Sequence, residues 1–310
     1  MKIRVLGSGA GGGIPQWNCH GEVSRAVRSG ALGTSPRTQS SLAVSADGEH
    51  WFLLNASPDL GEQIRKNSVL HPRGEALRHS PIQGVVLTNG DVDHVAGLLV
   101  LRESHPLVLY GTERVLGFLG ENSIFNVLSP HYVQRQALSL GQSFPLRDAR
   151  GDMSGVMVEA FAVSGKVALW QEDESKGDNF GSEEGDTIAL KLWREGAEQD
   201  AWYYIPACAA MTPDLARRLT GASLVFFDGT LWRDDEMIIA GVGTKTGRRM
   251  GHMSQTGEHG TLRAFADLGV KRKILIHINT TNPIIIEGSE ENRKVRDAGW
   301  EIAYDGMEIG

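Results

Sequence analysis

The chain has 310 residues, 41% of them hydrophobic, and a formal net charge of −7. This acidic balance argues against nucleic acid as the main partner, because phosphate binding normally needs a basic face. No run of twenty apolar residues occurs, which excludes a membrane-spanning helix. The short apolar start (1–6) does not fit a secretory signal, and the two cysteines, Cys19 and Cys208, provide no disulfide framework. We therefore expect a cytoplasmic protein.

Short apolar segments, each bounded by Gly, Pro, Asn or Asp, predict strands at 2–6, 41–45, 51–55, 84–88, 107–110, 156–163, 187–193, 202–205, 224–228, 273–278 and 300–304. Helical patterns are fewer and cover 59–66, 113–119, 212–219, 258–267 and 290–298. The strands come in runs first and alternate with helices later. This order favours β-sheets packed face to face with helices outside, rather than a doubly wound parallel sheet. No repeat or linker is visible, so we expect one domain over 1–310.

One segment, residues 171–186, is acidic and contains several glycines. Its composition is typical of a solvated surface loop. The alternative is a mobile lid over a site, and the sequence leaves both open.

A glycine-rich segment, GSGAGGGIPQW, follows the first predicted strand. Gly7, Gly9 and Gly12 satisfy the G-x-G-x-x-G spacing of dinucleotide-binding proteins, in which a helix begins at the glycines and meets the pyrophosphate. Here Gly13 and Pro15 follow, and residues 7–21 have no helical apolar period. There is also no strand ending in an acidic residue about twenty positions on. We therefore expect the glycines to let the backbone turn tightly beside a pocket or under another strand.

Three potential metal ligands follow the strand predicted at 84–88, namely Asp91, Asp93 and His94. Charged groups packed so closely repel one another unless a cation or a hydrogen-bond network compensates them. The alternative is a helix N-cap, in which Asp91 or Asp93 binds free backbone amides. These residues alone do not decide between the two interpretations.

Two further predicted strands end in potential ligands. The strand 224–228 closes with Asp228, and the strand 273–278 carries His277 near its end. A single histidine in such a position is more often a hydrogen-bonded core residue than a ligand. Here three strand ends carry potential ligands: an Asp and a His after the first, an Asp at the second and a His at the third. Together they favour a metal site.

Four features of the sequence form one pattern: an Asp-His pair after one strand, Asp-Gly-Thr after another, Gly-His-Met-Ser at 251–254 and a strand ending at His277. This pattern resembles the metallo-β-lactamase superfamily. Within it, the chain is similar to a family from the biosynthesis of pyrroloquinoline quinone (PQQ), through the segments GSGAGGGIPQWNC (7–19), RTQSS (37–41), NASPD (55–59), TNGDVDHVAGL (88–98), FDGTLWRDDEM (227–237), GVGTKTGRRMGH (241–252) and HINTTNP (277–283). The resemblance implies an α/β fold, a four-layer αββα sandwich of two mixed β-sheets with outer helices.

The superfamily's usual motif, H-x-H-x-D-H, is altered here, because Asn89 and Asp91 stand where its two leading histidines would be. Dinuclear hydrolases of the superfamily use those histidines to hold a first zinc, and a bridging hydroxide attacks the substrate. Asn89 is a poor ligand, so we expect the first metal site to be impaired or absent. Two imidazoles and a carboxylate with open positions are the ligand set of non-haem Fe(II) oxygenases. The residues that match the second metal site are Asp93, His94, Asp228 and His277.

The family resemblance implies Fe(II)-dependent, O₂-using hydroxylation of a tyrosine ring in the cross-linked Glu–Tyr unit derived from the PQQ precursor peptide. Zn(II) would fit the same donors. Five protein ligands would crowd O₂ and substrate, so either Asp91 or Asp228 is expected to be weaker or bridging. His252 matches the superfamily's non-ligand active-site histidine, and we predict it as general acid and base on the phenol, with Asp91 as a second catalytic residue. The implied metal ligands are Asp91, Asp93, His94, Asp228 and His277.

A basic stretch precedes His252 and contains Lys245, Arg248 and Arg249. We predict that these cations receive the carboxylates of an amino-acid-like substrate. Arg37 is a further candidate for the same role. The alternative is that the basic stretch is a solvated turn.

Members of the PQQ family commonly carry Cys-x-Cys-x-x-Cys after a Trp-Asn pair, which is typical of a structural zinc site. Cys19 is retained here, but Gly21 and Ser24 occupy the next two positions. One thiolate beside His20 does not make a four-ligand site, so no structural zinc is expected. Cys208 ends another predicted strand, and it either borders the site or is a buried thiol.

Two other functions stay open. One is zinc-dependent hydrolysis of an ester, lactone or phosphodiester, as in relatives of this fold. The other is a non-catalytic carrier that moves PQQ or its precursor towards the periplasm. A carrier has no need for open coordination positions at strand ends, so we prefer the hydroxylase. Other PQQ-biosynthesis proteins are expected partners, and pairing with a second copy of the chain is compatible with the sequence.

Overall fold

Two seven-stranded β-sheets face each other in the computed structural model, which describes residues 1–177 and 179–310. The strands are β1 (Lys2–Gly7), β2 (Ser41–Ser45), β3 (Trp51–Leu54), β4 (Ile82–Val86), β5 (Leu107–Gly111), β6 (Val133–Ala137), β7 (Ser143–Arg147), β8 (Met153–Ala162), β9 (Ile188–Arg194), β10 (Trp202–Ile205), β11 (Leu224–Asp228), β12 (Lys273–Ile276), β13 (Trp300–Ile302) and β14 (Glu308–Ile309). The helices are α1 (Glu22–Arg28), α2 (Leu60–Lys66), α3 (Val92–Val95), α4 (Glu113–Glu121), α5 (Pro213–Leu219), α6 (Glu236–Ile239), α7 (Thr261–Ala264) and α8 (Glu290–Asp297).

Both sheets are mixed and are built on the same plan. The first has the order β14-β1-β2-β3-β4-β5-β6, with β3 to β6 parallel and the other neighbours antiparallel. The second has the order β13-β12-β11-β10-β9-β8-β7, with β10 to β13 parallel. The carboxyl ends of parallel strands share one edge of a sheet, so β11 and β12 of the second sheet can present residues to a common site, which the segment after β4 reaches from the first sheet.

The core has three layers, which explains the long apolar runs of the central strands. Alternate strand residues such as Phe52, Tyr204 and Phe226 fill the space between the sheets. The opposite face of the first sheet packs on α2 and α4, and that of the second packs on α1, α5 and α8. The expected four-layer αββα sandwich is therefore confirmed.

Most predicted strands are found within a few residues of their expected ends, but β6, β7 and β14 were not predicted. The β6 and β7 strands form sheet edges, where only one neighbour pairs and mostly polar or part-exposed residues are tolerated. Pro145 lies inside β7, as an edge strand allows. The helix predicted at 258–267 is wrong in length: only the single turn of α7 forms, because Gly260 before it is extended.

The acidic segment 171–186 includes residue 178, which lies outside the described residues. The rest of it contains a short 3₁₀ turn at Glu174–Lys176. Whether the segment acts as a lid stays a prediction. Among the described residues, no helix has both the length and the apolar character needed to cross a bilayer.

Candidate metal centre

The potential ligands lie at the ends of three strands, one in the first sheet and two in the second. A five-residue loop leads from β4 to the short helix α3, which carries Asp93 and His94. Asp228 is the last residue of β11 and is fully buried. His277 directly follows β12 and has a left-handed backbone, with φ of 61°. This conformation is uncommon for a residue other than glycine, and such residues concentrate at functional sites.

These side chains converge in two overlapping groups. The donor atoms of Asp93, His94 and His277 lie within 4.8 Å of one another, and so do those of Asp228, His252 and His277. His277 belongs to both groups. The tertiary structure thus brings together four of the five predicted ligands and adds His252, which was predicted only as an acid and base.

His94 is oriented by Asn89. The Asn89 Oδ1 atom accepts a hydrogen bond from the Asp91 backbone N–H at 3.0 Å and lies 2.7 Å from His94 Nδ1. Since this oxygen can only accept, His94 Nδ1 is the protonated nitrogen and Nε2 carries the lone pair. His94 Nε2 is buried and has no hydrogen-bond partner among the described residues. A buried imidazole lone pair held in this way fits a metal ligand.

Thr230 connects Asp228 with both remaining histidines, a role that the sequence analysis missed. Its hydroxyl donates to Asp228 Oδ1 at 2.6 Å and lies 2.9 Å from His277 Nδ1. It therefore accepts from His277 Nδ1, and the His277 Nε2 atom faces Asp93 Oδ2 at 3.0 Å. His252 Nδ1 lies 2.7 Å from the second oxygen of Asp228. The local signal was the Asp-Gly-Thr sequence, but only the fold shows what the threonine contacts.

Burial and mutual charge shape the protonation of the cluster. Burial lowers the pKa of His94 to about 4, so His94 is neutral at pH 7 and able to bind a metal. Burial alone would raise the pKa of Asp93, but the imidazoles of His94 and His277 hold it well below its ordinary value. Burial opposes the charge of His277 too, yet its hydrogen bond to Asp93 raises the pKa of His277. The carboxylate of Asp93 and the imidazole of His277 therefore each favour the charged form of the other.

Asp91 takes another place. It stands at the N-cap position of α3, but within the described residues its side chain makes no capping hydrogen bond. Its Oδ1 instead accepts from the Leu169 backbone N–H at 3.0 Å, and burial raises the pKa of its carboxyl. Helix capping therefore does not explain these carboxylates. Asp91 lies outside both ligand groups, and its roles as ligand and catalyst stay predictions.

The predicted substrate cations lie in different surroundings. Lys245 and Arg249 both pair with Glu172, which is a neighbour that the sequence did not indicate. Arg248 is exposed, and its backbone N–H donates to a carboxylate oxygen of Asp234. Arg37 is half-buried near the carboxylates of Asp305 and Glu287, and its role in substrate binding stays a prediction.

The glycine-rich segment passes close to the ligands, as expected. A Cβ on Gly11 would lie 3.6 Å from Asp93 Oδ2, and Gly9 forms isolated parallel bridges with Gln39 and Ile278. The first helix begins only at Glu22, well beyond the glycines. The segment therefore lacks the geometry of a dinucleotide-binding turn.

The two cysteines are both buried. Cys19 Sγ accepts a hydrogen bond from the Gly21 backbone N–H at 3.4 Å. Cys208 borders the ligand cluster through its backbone N–H, which donates to Asp228 Oδ2 at 2.9 Å. Burial raises the pKa of its thiol to about 12, so Cys208 is a buried neutral thiol.

Known proteins resemble the chain over its full length. It is 52% identical over 309 residues to coenzyme PQQ synthesis protein B of Xanthomonas oryzae pv. oryzae, covering 100% of this chain and 99% of that protein. The protein of the same name from Bradyrhizobium diazoefficiens is 49% identical over 311 residues, with the same shares covered. The chain belongs to the coenzyme PQQ synthesis protein B family. The resemblance predicted from its motifs is thereby confirmed.

Structural comparison agrees with this family. The Zn²⁺-bound PqqB crystal structure from Methylobacterium extorquens matches with a TM-score of 0.93 and 47% identity, covering 100% of both chains. The model of the β-lactamase superfamily domain matches residues 50–278, which include all predicted ligands. A diphosphatase of the PhnP family has a TM-score of 0.66 at 18% identity, over 99% of this chain and 96% of that one, and shares the fold alone.

Proposed function

We propose that the protein acts in PQQ biosynthesis as an Fe(II)-dependent hydroxylase, which uses O₂ to hydroxylate the tyrosine ring of the Glu–Tyr precursor. Its membership of the coenzyme PQQ synthesis protein B family supports the pathway. The observation that carries the chemistry is the buried, unpartnered Nε2 of His94 beside a second imidazole and a carboxylate. Two imidazoles and a carboxylate are the donor set of mononuclear non-haem iron oxygenases.

The donors fit one metal ion better than two. Asn89 stands where a first-site histidine would be, and its amide oxygen is occupied by His94 and by the Asp91 backbone N–H. Asp93, His94 and His277 would hold the ion, with Asp228 on the open side and Asp91 at a distance. When bound, ferrous iron would supply the one-electron chemistry that lets O₂ react with a phenol ring.

Residues of the chain would handle the phenol proton. His252 has a side chain that is 13% exposed, and its Nδ1 is fixed by the carboxylate of Asp228. Its Nε2 is thereby left to take up or return the proton of the tyrosine hydroxyl. Thr230 holds both Asp228 and His277, so the acid–base residue and the ligands keep a constant relation to each other.

Zinc-dependent hydrolysis is the second candidate. Asp228, His252 and His277 form a further group of donors within 4.8 Å, which would accept a second ion if His252 acts as a ligand. The similar structure from Methylobacterium extorquens contains Zn²⁺. Two ions held side by side would favour a hydroxide nucleophile over O₂ chemistry.

The two candidates differ in metal and in co-substrate. We would reconstitute the metal-free protein anaerobically with one equivalent of Fe(II) or Zn(II), and add a peptide containing the Glu–Tyr unit with a two-electron reductant such as ascorbate, because insertion of one oxygen atom into the ring requires reduction of the other to water. O₂ is then admitted, and O₂ uptake and ring hydroxylation are measured. If the protein is a hydroxylase, O₂ uptake should occur with Fe(II) and not with Zn(II). Turnover with Zn(II) only, or a requirement for two equivalents of metal, would exclude it in favour of the hydrolase. His94→Asn is the inactive control, and His131→Asn, on an exposed histidine, should behave like the wild type.

A further inference from the structure

Three cations surround one glutamate beside the metal centre. Glu172 Oε1 lies 3.1 Å from Lys166 Nζ, and Glu172 Oε2 lies 3.9 Å from Lys245 Nζ. Arg249 binds both carboxylate oxygens, with Nη1–Oε1 at 3.1 Å and Nη2–Oε2 at 2.8 Å. This two-point geometry is the arrangement in which arginine recognises carboxylates most strongly.

The centre of the cluster is partly shielded from solvent. The side chain of Glu172 is 9% exposed and that of Lys166 is 15% exposed, so water screens their interaction only partly. Glu172 pairs with all three cations, whereas the carboxylates of Asp91 and Glu174 act on Lys166 and Arg249 from further away. A group of cations that shares one directly bound carboxylate can accept another carboxylate in its place.

The cationic cluster is physically joined to the metal centre. A Cβ on Gly251, next to His252, would lie 3.1 Å from Lys166 Cγ, so the stem of the lysine packs on the segment that carries the acid–base residue. Residues 167–172 continue from Lys166 to Glu172. Within them, Leu169 N–H donates to Asp91, and the Trp170 indole N–H donates to Gly90 O at 2.9 Å.

We propose that Lys166, Lys245 and Arg249 form a carboxylate-binding site, that Glu172 fills it in the substrate-free protein, and that a substrate carboxylate takes its place. This rests on the proposed function only in requiring a substrate with carboxylates, as the Glu–Tyr unit has. Exchange of one carboxylate for another conserves charge and hydrogen bonds, so the site selects carboxylates over their neutral amides.

The test measures binding without turnover. Zinc-loaded wild-type protein and the Glu172→Gln variant are titrated calorimetrically with glutarate and with its neutral analogue glutaramide. Removing the internal competitor should tighten glutarate binding about tenfold, equivalent to about 1.4 kcal/mol, while glutaramide binds neither protein. Glu184→Gln is the matched control, because Glu184 is an exposed acid in the same part of the chain. Its glutarate affinity should equal that of the wild type.

Arg249→Gln gives the complementary result. It should abolish glutarate binding while zinc stoichiometry is retained, which verifies that the metal centre is intact. The proposal is overturned if neither Glu172→Gln nor Arg249→Gln changes the glutarate affinity, as expected if glutarate binds only to zinc. It is also overturned if glutaramide binds as tightly as glutarate. These titrations measure binding and consume no O₂. A negative result in the hydroxylase assay can therefore be distinguished from the absence of a carboxylate-binding site.

Discussion

His277 is both a candidate metal ligand and the residue at which the backbone turns after β12. It takes part in both donor groups, and its left-handed φ of 61° turns its side chain back towards Asp93 after β12 ends. The surrounding contacts fix this geometry: the Thr230 Oγ1 atom also lies 3.0 Å from the His277 carbonyl oxygen. His277 therefore supplies both the candidate ligand and the backbone turn that positions it.

Replacing His277 by Asn should remove stoichiometric metal. Asn tolerates the left-handed backbone better than most residues, so the variant keeps the turn and loses the imidazole. Metal content per chain, measured by elemental analysis after loading with one equivalent of Zn(II), should fall from one to near zero. His131→Asn should retain the full equivalent. One bound metal in the His277→Asn protein would show that His277 is not a ligand.

Glu236 is a buried carboxyl outside the metal centre. Its Oε2 accepts from the Trp232 backbone N–H at 2.6 Å, and its Oε1 accepts from the Thr281 hydroxyl. Desolvation by burial outweighs these bonds and raises the pKa of Glu236 to about 7. A raised carboxyl pKa means that the folded protein holds this proton more tightly than the unfolded chain does. Its contribution to stability is complete below the unfolded pKa and is lost as pH rises through about 7.

The Glu236→Gln variant should be less sensitive to pH between 5 and 8. Urea unfolding of the wild type should give a free energy of unfolding that falls by up to about 3 kcal/mol over this range because of Glu236. The variant should lack this component. Glu195→Gln, on an exposed glutamate, should keep the wild-type dependence. Identical pH profiles for the wild type and Glu236→Gln would mean that Glu236 is not protonated in the folded state.

At the scale of elements, glycine has opposite effects in β1 and α4. A Cβ on Gly7, at the end of β1, would lie 2.1 Å from the backbone oxygen of Gln39, so the strand and the neighbouring segment approach as closely as they can. Gly117 lies within α4 and would meet nothing within 4 Å. The first glycine is required by packing, whereas the second only lowers helix propensity.

Substituting alanine at each position should therefore shift stability in opposite directions. Gly7→Ala should lose about 1–3 kcal/mol, because backbone atoms must move to admit the methyl group. Gly117→Ala should gain about 0.5–1 kcal/mol from reduced unfolded-state entropy. Denaturant unfolding of the two variants side by side checks the signs. A neutral Gly7→Ala would mean that β1 and the Gln39 segment can separate without cost.

The sequence predicted central elements better than peripheral ones. The β2, β10 and β11 strands have the predicted ends, because buried strands need long apolar runs that are visible locally. The edge strands β6 and β7 are polar or interrupted by proline, and the fold alone gives them partners. Likewise, α3 is a single turn whose sequence shows no helical period, and the loop after β4 positions it.

At the scale of the whole molecule, the candidate metal centre is built from residues of both sheets. Asp93 follows the first sheet, whereas Asp228 and His277 end strands of the second. A metal held by residues from both sheets binds only the folded state, and it stabilises that state by RT ln(1 + [metal]/Kd). This amounts to about 2.7 kcal/mol at a hundredfold excess over Kd.

Chelation should therefore lower the thermal midpoint. We expect calorimetry to show a decrease of several degrees when metal is removed with EDTA, and recovery when Zn(II) or Fe(II) is added back. The His277→Asn protein should melt at one temperature under all of these conditions. An EDTA-insensitive midpoint in the wild type would argue against a metal that bridges the sheets.

The sequence by itself determined the sandwich architecture and the donors at the strand ends. Both follow from local patterns: apolar runs that must be buried on two faces, and acidic or imidazole groups directly after them. The tertiary structure decided how those donors are used. The orientation of His94 by Asn89, the contacts of Thr230 and the pairing of Glu172 with Arg249 depend on how segments pack. Glu172 and Arg249 are 77 positions apart in the chain, and no local pattern encodes a hydrogen bond over that separation.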